Sequence, residues 1–242
     1  MSRKYQSLIF NDVRQIAKDP MLLASLLGPL AIIAFARFGF PFLSIWLEQQ
    51  FSFYLYTYSD FTVAFLLLII PLLPGAMSGL LMLDERDENL ISYYAATPLT
   101  RHGYIFYRLA LPCFLSAMLA SAFLLLSGIA AMQFENLYTI ILLTLEAPCL
   151  ALFLVAFAAN KVEGLALSKI SGLLFAGPIA AAFIPDPLQY LALWVPTYWP
   201  AKTYLLGTLN EPYFALASFA LGLLFHLFLL QRLSSMYLKR TD

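Results

Sequence analysis

Two side chains in this sequence have both the type and the setting to do chemistry. Glu146, in "LLTLEAPCL", and His226, in "LGLLFHLFLL", each stand alone inside a long apolar run. Glu146 is nine residues into its run, roughly 13 Å down a helix rising 1.5 Å per residue. A carboxylate that deep in a bilayer costs about 2.5 kcal/mol or more if it faces lipid, so it must face protein or a water-filled path. Two readings follow: a substrate- or proton-interacting group in a translocation path, or a neutral acid hydrogen-bonded to a neighbouring helix. Pro148 removes the donor for the Thr144 carbonyl and predicts a kink beside the acid. His226 is open to the same alternatives, path residue or satisfied packing histidine. Cys113 and Cys149 read as small hydrophobes, and two scattered His with two scattered Cys make no metal site. Neither G-x-S-x-G nor H-E-x-x-H occurs, so no catalytic residue, bound cofactor or metal is expected within the chain.

Charge gathers elsewhere. The chain has fourteen basic and fourteen acidic residues, and seven of these fall between Leu81 and Leu109: Asp84, Glu85, Arg86, Asp87, Glu88, Arg101 and Arg108. "ENLISYYAA" carries Leu90, Ile91, Tyr93 and Tyr94, enough for about two helical turns with one greasy face. Thr97 followed by Pro98 reads as an N-cap with proline at the first helical position, starting a helix through Arg101 and Arg108. A loop needed only to fix topology has no use for Tyr93, Tyr94, Tyr104, Phe106 and Tyr107, whereas a helix docking into a partner's groove does.

The elements that must position these groups are membrane spans. The sequence is 62% hydrophobic and 12% charged, with a mean hydropathy of +0.80, which predicts an all-α integral membrane protein. A crossing takes about 20 apolar residues, and six runs qualify: Met21 to Phe40, Tyr54 to Leu83, Leu109 to Met132, Leu137 to Ala159, Leu165 to Ile184 and Tyr213 to Leu230. With six spans, twelve of the fourteen basic residues share one side, leaving Arg37 and Lys202 for the other. The positive-inside rule then places both termini and the charged loop in the cytoplasm. Residues 1–20 predict a cytoplasmic interfacial helix, its stripe formed by Leu8, Ile9, Val13 and Ile16. Residues 21–242 form one transmembrane domain, with a coupling loop over 84–108.

Residues 185–212 are too broken by Pro185, Pro187, Pro196 and Pro200 for a further crossing. They predict a re-entrant segment before span six, with Trp194, Tyr198 and Trp199 at headgroup depth. This region, with Lys202 meeting phosphate or an anionic solute, serves either as an outer gate or as an interfacial belt. Along span five, Gly164, Ser168, Gly172, Ala176 and Ala180 recur every fourth residue, a small-residue stripe for close packing inside the subunit or between subunits. For Gly75 and Gly79 a bend beside Pro74 is the plainer expectation.

"GLLMLDERDENLISYYAATPLTRHGYIFYRLALP" resembles the cytoplasmic loop of ABC-2 type transporter permeases, in which an acidic cluster ends span two and a coupling helix and "TPL" turn follow. "NKVEGLALSK" and "VPTYWPAKTY" are similar to a bacterial subgroup of fluoroquinolone-export-type permeases. The likeness covers nearly the whole chain. It implies a bacterial inner-membrane permease subunit, paired with an identical or paralogous second permease and seated on cytosolic ATPases that bind ATP and Mg. The chain has no G-x-x-x-x-G-K-[ST] of its own. By that likeness, Asp84 to Glu88, Tyr93, Tyr94, Thr97, Pro98 and Arg101 are the ATPase-coupling residues, and small amphipathic or hydrophobic compounds are the cargo. The expected partners are lipid and protein, with no nucleic acid. Rival readings are export of a peptide antibiotic or lipid, and a self-sufficient proton-coupled carrier or channel using Glu146.

Overall fold

The computed structural model describes residues 20–90 and 100–241. All but the last residue of the interfacial helix expected over 1–20, and the coupling residues Tyr93, Tyr94, Thr97 and Pro98, lie outside them, as does the side chain of Arg101. Every regular element among the described residues is helical, and six helices are long and apolar enough to cross a membrane. The chain is a multi-pass membrane protein.

The first crossing is longer than expected. Helix α1 (Pro20–Ala34) passes through a π turn (Phe35–Gly39) into α2 (Phe40–Phe51), because Phe42, Leu43, Ile45 and Trp46 continue the apolar character. Then come α3 (Ser59–Asp87), α4 (Thr100–Leu126), α5 (Asn136–Phe157), the short α6 (Lys161–Ser168) and α7 (Ala176–Phe183), α8 (Tyr198–Thr208) and α9 (Pro212–Thr241). Helices α3 and α5 are buried along most of their length and pack on each other more extensively than any other pair, so they form the axis of the bundle. Their approach is close because two small-residue pairs face each other. A methyl group added at Gly75 would meet the Ala147 carbonyl at 2.6 Å, and one at Gly79 the Ala151 carbonyl at 3.0 Å. Gly75 and Gly79 are thus contact points between helices; a bend alone does not explain them.

Span five is not one α-helix. Between α6 and α7 the chain tightens into a 3₁₀ stretch, Lys169–Phe175. The Ser168 and Ser171 hydroxyls donate to the carbonyls of Leu165 and Ser168, a local competition that disfavours a regular α ladder. Pro178 has no N–H for the Leu174 carbonyl, which is taken instead by the Thr197 hydroxyl. The expected stripe therefore does not share one face. Gly164 is buried against Leu80 and Leu83 of α3, and Ala180 is buried. Ser168 is half-buried, Gly172 faces open space and Ala176 is exposed.

Proline breaks are repaired in the same way in α4. Pro112 frees the Arg108 carbonyl, and the Ser78 hydroxyl of α3 donates to it at 3.0 Å. The core forms two apolar clusters stacked along the bundle, one built around Ile70, Phe123, Leu142 and Tyr204 and the other around Leu83, Tyr104, Leu154 and Tyr237.

Candidate functional site

At the end of the bundle carrying the acidic cluster, the charges bind the helices to one another. Glu85, buried although charged, accepts from the Tyr104 hydroxyl at 2.5 Å and from Arg108 Nε at 2.9 Å, and Arg108 Nη2 completes a two-pronged contact with its carboxylate. Two opposite charges on one bidentate geometry, with a phenol on the remaining lone pair, is the arrangement that makes a buried ion pair tolerable. Arg86 reaches across to α5 and donates to the Val155 and Ala158 carbonyls at 3.2 and 2.6 Å, placing positive charge on a helix C-terminus. Asp84 meets Lys161 Nζ at 2.8 Å, and Asp87 accepts from the Lys161 backbone N–H at 3.0 Å. Helix α6 starts there on a capping pair. Asn160 accepts from the Glu163 N–H at 2.9 Å, and the Glu163 carboxylate accepts from the Ala159 N–H at 2.7 Å. Four of the five consecutive charged residues are thus engaged within the chain, and Glu88 is exposed.

The opposite end is closed by residues 185–208. A 3₁₀ helix, Leu188–Trp194, leads back into the bundle, and α8 leaves it. Gln189 organises this turn. Its amide N–H groups donate to the Ile184, Ala180 and Ala181 carbonyls at 2.9, 3.2 and 3.4 Å, which finishes α7, while its oxygen accepts from Tyr198 at 2.9 Å and Lys202 at 2.7 Å. Burial pushes the Tyr198 hydroxyl up to about 12, with the Asp186 carboxylate adding to the shift, so it remains a donor. Trp199 is buried, packed on Gly222 of α9, and its indole donates to the Leu193 carbonyl at 3.1 Å. Of the expected aromatic belt only Trp194 is open, at 81% exposed. Lys202 holds Gln189 within the protein.

Between these ends the structure brings together the two lone polar residues of the sequence. His226 Nε2 lies 3.1 Å from Glu146 Oε1, although the residues are 80 apart in the chain, and His226 Nδ1 lies 2.7 Å from the Gly222 carbonyl. Both side chains are inaccessible, at 2% and 0% exposed. A carbonyl can only accept, so Nδ1 carries a hydrogen. Nε2 can then face the carboxyl favourably only if one proton lies between them, as neutral acid and imidazole or as carboxylate and imidazolium. Glu146 lines an apolar cavity of about 440 Å³. Its walls come from α5, the 3₁₀ stretch and α9, including Leu150, Phe153, Leu174 and Leu233, with Trp194 on one side and Arg232 also on its lining.

Sequence reasoning found Glu146 and His226 but not their contact, and it missed Gln189 and Arg232. A polar residue flanked by prolines was the available signal for Gln189, and the run Leu227 to Leu230 ending in Gln231–Arg232 the one for Arg232.

Two curated relatives from Mycobacterium tuberculosis, strains CDC 1551 / Oshkosh and ATCC 25618 / H37Rv, are each named as a fluoroquinolones export permease protein. Each is 29% identical over 198 residues, covering 80% of this chain and 79% of the relative. No solved structure matches the chain. A family model described as "Fluoroquinolones export permease protein Rv2686c-like" matches residues 12–234, the first five crossings and most of the sixth. With its likeness to ABC-2 type permeases, its six apolar helices and that match over most of its length, the chain belongs to the Rv2686c-like export permease family.

Proposed function

We propose that this chain is the membrane subunit of an ATP-driven exporter of small amphipathic compounds, of which fluoroquinolones are the model through its relatives. The observation that carries the reading is the apolar cavity with Glu146 on its wall and His226 behind that carboxyl. It offers an aromatic solute an apolar bed with a few polar groups on its wall, Glu146 and Arg232 among them, as small-molecule sites do. In this reading the bundle sits in the cytoplasmic membrane of a bacterium with the Asp84–Glu88 end inward, an orientation supported by the positive-inside distribution of its basic residues. ATP and Mg bind to separate cytosolic ATPase subunits, which dock on residues 84–108 of two paired permeases. Glu88, exposed at the tip of α3, is the acidic residue left to meet them.

The test is a gentle detergent pull-down of the tagged chain from native membranes, paired with uptake of a fluorescent fluoroquinolone into inverted vesicles. A stoichiometric partner carrying a P-loop, with uptake that needs ATP and survives a protonophore, is the expected result. A chain that comes down alone, with uptake abolished by the protonophore, sinks the reading in favour of a proton-driven carrier.

A further inference from the structure

Glu146 is placed between two different neighbours. On one side is His226, held by Gly222; on the other is the cavity. The shared proton makes the pair electrically neutral. Removing it leaves a carboxylate against an imidazole lone pair at a site where only 2% of Glu146 is exposed. A cation arriving from the cavity side offsets most of that penalty, because its charge balances the carboxylate while the imidazole stays neutral on its Gly222 contact. We propose that the pair trades its proton for an organic cation: an amphipathic ammonium binds in the cavity with its charge on Glu146, and one proton leaves to solvent for each cation bound. Charge balances on both sides of the exchange, and no bond other than the proton's is broken. This inference rests on the cavity being the cargo site. It concerns what binding costs, and ATP still drives the cycle.

The surroundings leave the exchange to this pair. On α5 itself the nearest ionisable group is Cys149, whose thiol points at the His226 carbonyl at 3.9 Å, and Cys113 of α4 lies behind it. Helix α9 contributes Arg232 to the cavity lining. Helix α3 faces this level with Gly75 against Ala147, α8 with Trp199 against Gly222, and the 3₁₀ stretch with Ser171 and Leu174. Arg232 also sets the direction of entry, since a solute whose positive end lies at Glu146 turns a neutral or anionic end toward the guanidinium.

The experiment uses the full chain in phosphatidylglycerol nanodiscs, with empty nanodiscs as the reference. The probe is tetraphenylphosphonium, a permanent cation whose own charge does not change with pH. Its apparent affinity is expected to rise tenfold per pH unit until the pair is deprotonated, with one proton released per cation in weak buffer. Tetraphenylborate, the anion of the same shape, should neither compete nor release protons. Glu146→Gln should weaken cation binding at least tenfold and abolish proton release; should that variant fail to fold, the wild-type proton count still decides. Cation binding that is independent of pH and releases no proton overturns the exchange, as does equal binding of the anion. Adding phosphatidylethanolamine identifies the source of the ammonium: an unchanged curve points to a free solute, a tenfold weakening to a lipid headgroup competing for the same carboxylate. Proton-linked binding in a chain that exports nothing would overturn the export reading alone, and export without proton release would overturn only the exchange.

Discussion

Single residues at the charged end of this bundle act as fasteners. Glu85 is the clearest, a carboxylate with a phenol and a guanidinium as its buried partners. Arg108→Met removes the positive charge and leaves that carboxylate buried beside Tyr104. The expected cost is about 3 kcal/mol, the range found when one partner of a buried pair is deleted. Thermal unfolding in detergent should show the loss, and the double variant Glu85→Gln with Arg108→Met should recover part of it. Equal melting of the single variant and wild type would falsify the buried-pair assignment. At this scale the sequence was half legible. Charge density marked the segment from Asp84 to Glu88, but only three dimensions show that Arg86 reaches the end of α5 and that Lys161 answers Asp84 and Asp87. The same is true of Glu146 and His226, whose hydropathic isolation was plain and whose mutual contact spans 80 residues. A capping pair is written openly in "NKVE", where Asn160 and Glu163 stand three apart.

At the scale of elements, hydropathy located the crossings because a stretch of about 20 apolar side chains has few other uses. It did not locate the break in span five. Window averages are blind to Ser168 and Ser171 hydroxyls that bond nearby carbonyls, and to a Pro178 that leaves a carbonyl for Thr197. They also misassign small residues. A spacing of four places residues on one face only where the helix is α, and a 3₁₀ stretch of seven residues turns Gly172 away from Gly164. Gly75→Val should therefore be severe. Its Cβ meets backbone at 2.6 Å and cannot be accommodated by a side-chain shift, so α3 and α5 must separate, at a cost of about 3 kcal/mol. Gly172→Ala, with nothing within 4 Å, should melt within a degree or so of wild type. Comparing the two melting curves separates the axis of the bundle from the stripe that spacing suggested.

For the whole molecule the governing asymmetry is charge. The sequence assigns twelve of fourteen basic residues to one side, and among the described residues Arg86, Arg108 and Lys161 tie helices together at the Asp84–Glu88 cluster. In a background lacking Cys113 and Cys149, a membrane-impermeant maleimide added to intact cells should label Gln50→Cys, an exposed site at the end of α2. It should label Glu88→Cys only after permeabilisation. The reverse pattern would invert the protein in its membrane and place the Asp84–Glu88 end out of reach of the proposed cytosolic ATPase.

The grip of Arg86 on Val155 and Ala158 has a mechanical consequence. Helix α5 carries Glu146 at one level and is held by α3 at its end, roughly 18 Å away for twelve residues of helix. Pro148 lies between, within a helix that runs unbroken from Asn136 to Phe157. A torque applied at the tip of α3 is therefore delivered to the acid by a single stiff rod, and a change in the acid's occupant twists that rod back against whatever holds the tip.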